Sequence, residues 1–264
     1  MAATILVTGG TGILGRQVVA RLRDAGQSVR VLSRHGGPAG DGVEYVAGDL
    51  QTGEGAAAAV DGVTTIVHCA GTQKGDGDKA RHLVAAAKDA GVRHIVFISV
   101  VGADTIPVVS GIDRGAFAYF ESKHDAERVI EASGIPWTTL RATQFYELTL
   151  LTAKAMAKLP VIPVPSGFNF QPVDSGEVAD RLVELALGDP QGFVSDVAGP
   201  TVYSMKDLIR SYVAAAGLRR LFLPVPMPGR AARAIRDGAN IAPARAVGRR
   251  TWEEFLATQS LVQA

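Results

Sequence analysis

Three glycines recur at every third position near the start of the chain, in the segment Thr8-Gly9-Gly10-Thr11-Gly12-Ile13-Leu14-Gly15. Gly9 permits a tight turn, Gly12 lets backbone amides approach a ligand without a Cβ, and Gly15 allows close packing of a helix on a strand. A helix that starts here presents unpaired N–H groups and the positive end of its dipole, which favour a pyrophosphate. The segment follows an apolar run and opens a stretch of helical period, so it predicts a dinucleotide site formed by Gly9, Gly10, Thr11, Gly12, Ile13, Leu14 and Gly15.

The second apolar run ends in Ser33-Arg34. An acidic residue here would accept hydrogen bonds from the adenosine ribose hydroxyls and select NAD(H). A hydroxyl and a guanidinium instead suit a 2′-phosphate. We therefore expect NADP(H) rather than NAD(H), the alternative being a solvated surface arginine. After the third run, Asp49-Leu50 is interpreted as an adenine contact, with a plain turn aspartate as the alternative.

Tyr119 and Lys123 lie four residues apart in another stretch of helical period, so a helix would project both side chains from one face. An ammonium close to a phenol favours the phenolate. Such a tyrosine could pass a proton to a carbonyl oxygen as hydride arrives from a nicotinamide, and Lys123 could hold the nicotinamide ribose. The alternative is an aromatic side chain that anchors the helix, followed by an exposed lysine.

Short apolar runs alternate with helical stretches, which predicts a parallel sheet covered on both faces. The predicted strands are Ile5–Val7, Val29–Leu32, Val43–Val46, Thr64–His68, Ile95–Ile98 and Trp137–Leu140. The predicted helices are Leu14–Gly26, Lys79–Ala90, Tyr119–Ala132, Ser175–Leu187 and Ser204–Ala216, the last with Ser204 and Asp207 as a capping pair. The expected fold is α/β, a Rossmann-type doubly wound parallel sheet with a small C-terminal substrate-side lobe.

Beyond Phe145 the alternation of short apolar runs and helical stretches breaks down. Four prolines exclude a simple continuation of a central sheet, namely Pro160, Pro163, Pro165 and Pro172. We expect one unit over residues 1–264, with a dinucleotide-binding core over 1–145. Residues 146–264 would partly complete the sheet and partly form a substrate-binding lobe.

Residues 209–251 carry nine arginines and a single acid, Asp237, and a helix would place Arg230 and Arg233 on one face. We interpret this segment as a solvated basic face. The alternatives are contact with an anionic substrate, a membrane surface or an acidic partner.

The composition narrows the class of protein. A net charge of +1 over 264 residues argues against a general nucleic-acid binder. A single cysteine, Cys69, excludes an internal disulfide and fits a reducing compartment, and five scattered histidines predict no metal site. The N-terminus lacks a signal-peptide pattern, and no apolar run reaches the roughly 20 residues of a membrane span. We expect a cytoplasmic protein, monomeric or homodimeric, that acts on a small-molecule substrate.

Together the glycine loop, Asp49-Leu50 and the Y-x-x-x-K sequence Tyr119–Lys123 resemble the short-chain dehydrogenase/reductase superfamily. The fuller resemblance is to its atypical NAD(P)H-binding branch, which includes NmrA-like and isoflavone-reductase-like proteins. It is carried by AYFESKHDAE at 118–127 and SGIPWTTLRATQF at 133–145, and it covers about residues 3–187 well.

The resemblance implies a catalytic set of Tyr119, Lys123 and Ser99, with Ser99 as a contact to substrate oxygen or to cofactor. Val100 and Val101 stand where related proteins often have the working hydroxyl. The resemblance also implies a loop over the site at residues 104–115. Further cofactor contacts are implied at Cys69, Ala70, Gly71, Ala142 and Thr143, and substrate contacts at Gln144, Phe145 and Tyr146.

The leading functional hypothesis is an NADP(H)-dependent oxidoreductase that transfers hydride between nicotinamide and a small carbonyl, alcohol or quinone-like compound. The second is a non-catalytic, NmrA-like NADP(H)-sensing protein, which the lack of a second hydroxyl near Ser99 keeps open. The third is an NAD(P)-dependent epimerase or dehydratase, against which Arg34 counts.

Overall fold

The computed structural model describes residues 4–37 and 42–260. Its strands are Thr4–Thr8 (β1), Ser28–Ser33 (β2), Val43–Ala47 (β3), Val63–His68 (β4), His94–Val100 (β5), Trp137–Ala142 (β6), Val161–Pro165 (β7), Asn169–Phe170 (β8), Gly192–Phe193 (β9), Tyr203–Ser204 (β10) and Leu221–Val225 (β11). Its α-helices are Ile13–Asp24 (α1), Ala56–Val60 (α2), Asp76–Asp89 (α3), Gly111–Glu131 (α4), Tyr146–Met156 (α5), Ser175–Leu187 (α6), Met205–Ala215 (α7), Arg230–Arg236 (α8) and Trp252–Ala257 (α9).

Seven strands form the central sheet in the order β3-β2-β1-β4-β5-β6-β9. The pairs β1–β2, β1–β4, β2–β3, β4–β5 and β6–β9 are parallel. After β3 the chain returns past β1 to form β4, so the strand order reverses beside β1. In doubly wound sheets ligands bind outside the carboxyl ends of the strands at such a point. The predicted Rossmann-type fold and its six predicted strands are confirmed.

The chain divides into two compact units. Unit 1 comprises residues 1–99, 118–141 and 176–195, and unit 2 comprises 100–117, 142–175 and 196–264. Residues 176–195 thus belong to unit 1 and residues 100–117 to unit 2, and the division expected at residue 145 stays a prediction.

Unit 1 has an apolar core in which side chains of α2, α3 and α4 pack with those of the sheet. Phe97, Ile66 and Leu83 are among its fully buried members. Burial of this many aliphatic side chains is the main stabilising contribution, at roughly 1.5–3 kcal/mol for each large one. This core fixes the carboxyl ends of β1, β4 and β5, where the candidate site residues lie.

Unit 2 has a core of its own around Tyr146, Trp252 and Phe255, whose ring centroids lie 5.2 to 5.8 Å apart. Two short two-stranded sheets, β7–β11 and β8–β10, accompany it. The proline-rich segment therefore lies outside the central sheet, as the sequence predicted. The predicted cap of α7 is also present, since Ser204 Oγ accepts from the Asp207 N–H at 3.1 Å.

The expectation of a loop over residues 104–115 is wrong at its C-terminal end, because α4 begins at Gly111. The cause is a reciprocal cap. Ser110 Oγ accepts from the Asp113 N–H at 3.1 Å, and Asp113 Oδ2 accepts from the Ser110 N–H at 3.1 Å. Such a capping pair satisfies N–H groups at the start of a helix. It outweighs the low helix propensity of Gly111 and Gly115.

Candidate functional site

The glycine loop joins β1 to α1 through close backbone contacts. Gly9 has a φ of +68°, and a Cβ there would lie 2.7 Å from the Ala70 backbone nitrogen. A Cβ at Gly15 would collide with the Gly9 carbonyl oxygen. Gly12 is the N-cap of α1, so no side chain caps the N–H groups at the start of this helix. Thr11 and Gly12 are both exposed. The first turn of α1 therefore keeps free N–H groups in a space that only glycines leave open, which fits a pyrophosphate.

The predicted adenosine-side residues lie at the ends of β2 and β3. Ser33 is half-buried and Arg34 is exposed. Asp49 Oδ1 accepts from the Gln51 N–H at 2.8 Å, so one carboxylate oxygen already serves a turn. Leu50 is buried in the core of unit 1. A contact of Asp49 and Leu50 with adenine stays a prediction.

Lys123 projects from α4 into a buried position and is only 4% exposed. Its Nζ donates to the Ile98 carbonyl oxygen at 3.3 Å and lies 3.3 Å from Asp76 Oδ2. The same Nζ is 5.0 Å from the Phe97 ring centroid and 5.8 Å from that of Tyr119. The one-face arrangement expected of Tyr119 and Lys123 is present, but the exposed member of the pair is Tyr119, at 36%.

Gly71 brings the backbone after β4 close to this lysine. A Cβ at Gly71 would lie 2.7 Å from Lys123 Nζ and 3.2 Å from Asp76 Oδ2. The glycine therefore leaves room in front of a buried ion pair. A ribose hydroxyl at this position would find an ammonium donor and a carboxylate acceptor side by side.

Asp76 is the functional candidate that sequence reasoning missed. It is fully buried at the start of α3, where Oδ1 accepts from the Thr72 N–H at 2.8 Å and from Lys79 Nζ at 3.1 Å. Its own N–H donates to Ser122 Oγ at 3.0 Å. Burial by itself would raise the pKa of Asp76, but the Lys123 ammonium, the Thr72 amide and Lys79 outweigh it and lower the pKa. The sequence signal, an acid in the first turn of a helix, is too common to identify this residue.

Two further polar atoms of this region are buried without a partner. Among the described residues, neither Ser99 Oγ nor His68 Nε2 has a hydrogen bond. His68 Nδ1 is paired with Thr8 Oγ1 at 2.7 Å, and the ring stacks on Phe97. Burial, reinforced by the positive charge of Lys123, lowers the pKa of His68 to about 3, so the imidazole is neutral at physiological pH.

Cys69 follows His68 at the end of β4 and is unsuited to nucleophilic chemistry. Burial raises the pKa of its thiol to about 12, and only the thiolate is a strong nucleophile. The backbone of residues 69–71 is the part of this segment that approaches the glycine loop, since Cys69 and Ala70 face Gly9.

The site residues predicted from the last residue of β6 onward lie in unit 2. Ala142 and Thr143 are buried, and Thr143 Oγ1 donates to the Gln171 carbonyl oxygen at 2.5 Å. Gln144 Nε2 donates to the Asn240 carbonyl oxygen at 3.2 Å, and Phe145 is half-buried.

Tyr146, predicted to line a substrate pocket, is fully buried, and its hydroxyl donates to the Arg250 carbonyl oxygen at 2.6 Å. The structure thus places Tyr146 in the unit 2 core, because stacking with Trp252 and Phe255 fixes the start of α5. Gln144 and Phe145 are the members of the predicted pocket lining that keep exposed surface.

Within residues 4–37 and 42–260, no cluster of histidine, cysteine, aspartate and glutamate side chains has the arrangement of a metal site. Over the same ranges, none of the helices combines the length and apolar character needed to cross a bilayer.

The chain resembles known proteins in both sequence and fold. A family model described as NAD(P)H-binding matches residues 9–188. The (4-alkanoyl-5-oxo-2,5-dihydrofuran-3-yl)methyl phosphate reductase of Streptomyces griseus is 31% identical over 208 residues, which are 77% of this chain and 70% of that protein. An isoflavone reductase homolog of Zea mays is 32% identical over 218 residues, covering 77% of this chain and 64% of that one.

Among solved structures, the NADPH-dependent quinone oxidoreductase of Escherichia coli in complex with NADPH superimposes with a TM-score of 0.78. The superposition covers 96% of this chain and 98% of that chain at 19% identity, so it shows a shared fold. The family model spans both the glycine loop and the Tyr119–Lys123 segment. The chain belongs to the NAD(P)H-binding family, in the atypical branch of the short-chain dehydrogenases/reductases that includes the isoflavone-reductase-like proteins.

Proposed function

We propose that the protein is an NADP(H)-dependent oxidoreductase that transfers hydride between nicotinamide and a small carbonyl, alcohol or quinone-like compound. One observation carries the proposal. A buried ammonium, Lys123 Nζ, is held by Asp76 and the Ile98 carbonyl one helical turn after the exposed Tyr119. Burying an ion pair costs desolvation energy. A role in binding or catalysis would explain why the fold places this pair here.

The pyrophosphate, the 2′-phosphate and the nicotinamide ribose of the cofactor fit residues present in unit 1. Backbone N–H groups of the first turn of α1 would bind the pyrophosphate, and Ser33 with Arg34 would bind the 2′-phosphate. Lys123 would hold the nicotinamide ribose in the room that Gly71 leaves. Backbone groups of Ala142 and Thr143 are proposed for the carboxamide. When bound, the dinucleotide supplies or accepts the hydride.

Tyr119 is the proposed general acid/base. Its hydroxyl would donate a proton to the substrate oxygen during reduction, and the Lys123 ammonium would stabilise the resulting phenolate. Ser99 Oγ has unused hydrogen-bonding capacity among the described residues and would contact substrate or cofactor. Gln144 and Phe145 are proposed to contact the substrate.

One observation favours a second candidate, a non-catalytic NADP(H)-binding sensor. Ser99 is only 4% exposed, and the next two residues, Val100 and Val101, offer no hydroxyl. A protein of this kind would bind the cofactor tightly and turn over no substrate.

The proton-donor role is tested with a Tyr119→Phe variant and a matched Tyr45→Phe control on β3. NADPH oxidation is followed with a panel of quinones and carbonyl compounds. We expect kcat of Tyr119→Phe to fall by about 10² to 10⁴-fold with an unchanged Kd for NADPH, since general acid catalysis contributes that much. An unchanged kcat would refute the role of Tyr119. Tight NADPH binding without turnover across the whole panel would favour the sensor.

Cofactor preference is tested with Arg34→Ala and an Arg23→Ala control, both at exposed positions. Hydrogen bonds to charged groups contribute about 1.5–3 kcal/mol, so we expect Arg34→Ala to weaken NADPH binding by about 10 to 100-fold. NADH binding should not change, because NADH lacks the 2′-phosphate. Equal effects on the two cofactors in a fluorescence titration would contradict the assignment of Arg34.

A further inference from the structure

The parallel strands β7 and β11 of unit 2 form a ribbon with one buried and one exposed face. Ile162 and Val164 turn into the unit 2 core, together with the partly buried Phe222. Because side chains alternate along a strand, their neighbours face the other way. That outer face, extended by Leu159 two residues before β7, presents apolar side chains only. We call it the ribbon face, and it consists of Leu159, Val161, Pro163, Leu221 and Leu223.

The leucine and valine side chains of the ribbon face are exposed to solvent. Leu221 is 70% exposed, Leu223 54%, Leu159 46% and Val161 42%. The register pairs Leu221 with Val161 and Leu223 with Pro163, so the side chains adjoin across the two strands. Single exposed leucines are ordinary, but a contiguous apolar group marks an interaction surface.

Cations flank this apolar group at the end where both strands begin. Arg219 and Arg220 directly precede β11, and Lys158 lies just before β7. The Leu221 N–H donates to the Pro160 carbonyl oxygen at 3.2 Å, and Arg220 Nε donates to the Ala157 carbonyl oxygen at 2.7 Å, so the two strand starts lie together. Segments 157–167 and 217–230 contain four basic residues and no acidic one.

We propose that the ribbon face docks on the surface of an anionic lipid bilayer. Its leucines and Val161 would enter the boundary between headgroups and acyl chains, while Lys158 and Arg219, both exposed, would reach lipid phosphates. Apolar side chains bordered by cations, in two segments that contain no acidic residue, match the chemistry of such a surface. The ribbon face shares no residue with the proposed catalytic site.

Two features argue against a second copy of the chain as the occupant. Pro163 and Pro165 in β7 and Pro224 in β11 lack N–H groups, which disfavours pairing a further strand along the ribbon edges. A two-fold contact of ribbon face on ribbon face would bring two basic clusters into one interface, where like charges repel.

The test is co-sedimentation of the 264-residue protein with vesicles of phosphatidylcholine alone or mixed with phosphatidylserine, at low and high salt. We expect binding only to the mixed vesicles, and weaker binding at high salt. Lys158→Gln and Arg219→Gln should each reduce the partition coefficient about fivefold, the factor that corresponds to one cation near an anionic surface. Leu223→Ser should reduce it at least as much.

Matched controls are Arg23→Gln and Leu187→Ser, whose side chains are exposed in unit 1. They should sediment like the unchanged protein, and a thermal midpoint for each variant shows that it is folded. The proposal is overturned if mixed vesicles fail to bind the protein, or if the controls lose as much binding as the ribbon-face variants. It is also overturned if sedimentation velocity shows a dimer that Leu223→Ser dissociates while vesicle binding is unchanged.

Discussion

Asp76 and Lys123 show how a single buried pair can organise a site. The Asp76 carboxylate forms ion pairs with Lys79 and Lys123 and accepts a hydrogen bond from the Thr72 amide. The backbone N–H of Asp76 donates to Ser122 Oγ. These contacts tie the start of α3 to the segment after β4 and to α4, so the ammonium that faces Gly71 is held from several sides. A lysine side chain has four rotatable bonds, and restricting them in advance favours ligand binding.

Replacing Asp76 by Asn should destabilise the protein by about 3–5 kcal/mol, because two buried ammonium groups lose their carboxylate partner. The matched control is Asp78→Asn on the same helix, whose exposed ion pair with Arg81 contributes less than about 1 kcal/mol. Urea unfolding at neutral pH gives both free energies of unfolding. Similar losses for the two variants would show that Asp76 is not the anchor of this cluster.

At the scale of elements, the sequence predicted best the features that depend on residues close together in the chain. Apolar runs and glycine stops predicted the six strands β1 to β6, and Ser204 with Asp207 predicted the start of α7. The strands β7 and β11 were missed because their prolines argue against a sheet, although prolines are tolerated in a two-stranded ribbon at an edge. The roles of Asp76 and Tyr146 depend on residues far away in the chain, such as Lys123 and Trp252, so no local pattern could predict them.

The junction after β4 yields a prediction on pH. The pKa of His68 is lowered from 6.5 to about 3, chiefly by burial, so the unfolded chain takes up a proton that the folded chain does not. The stabilising effect of the neutral imidazole is present above pH 6.5 and is lost as the pH falls toward 3, by about 1.4 kcal/mol per pH unit. We expect urea midpoints to fall between pH 7 and pH 5, and to fall less in a His68→Asn variant.

His94 must be counted in the same window, because burial also lowers its pKa. The carboxyl of Asp76 does not contribute there, since its pKa lies below its ordinary value of 3.8. A His35→Asn variant, changed at an exposed position, serves as the control and should keep the full pH dependence. If His68→Asn keeps it as well, the buried imidazole is not its source.

At the scale of the whole molecule, each unit has its own apolar core, and the proposed pyrophosphate, 2′-phosphate and ribose contacts all fall in unit 1. A ligand that binds only the folded chain stabilises it by mass action, by about 2.7 kcal/mol at a concentration 100 times Kd. NADPH should therefore raise the thermal midpoint. In hydrogen exchange, the added local protection should fall on residues 9–16 and 69–76, at the carboxyl ends of β1 and β4.

Gly12→Ala separates binding from folding. Gly12 has a φ of −78° and a ψ of 178°, which alanine adopts without strain, and a Cβ there would lie 3.2 Å from the Gly9 carbonyl oxygen. The variant should fold, but its methyl group would stand where the pyrophosphate must approach, so NADPH should no longer shift its midpoint. Gly115→Ala, whose added Cβ meets nothing within 4 Å, should respond to NADPH like the unchanged protein. A full NADPH shift in Gly12→Ala would contradict the proposed site, because it would mean that the pyrophosphate does not pass over Gly12.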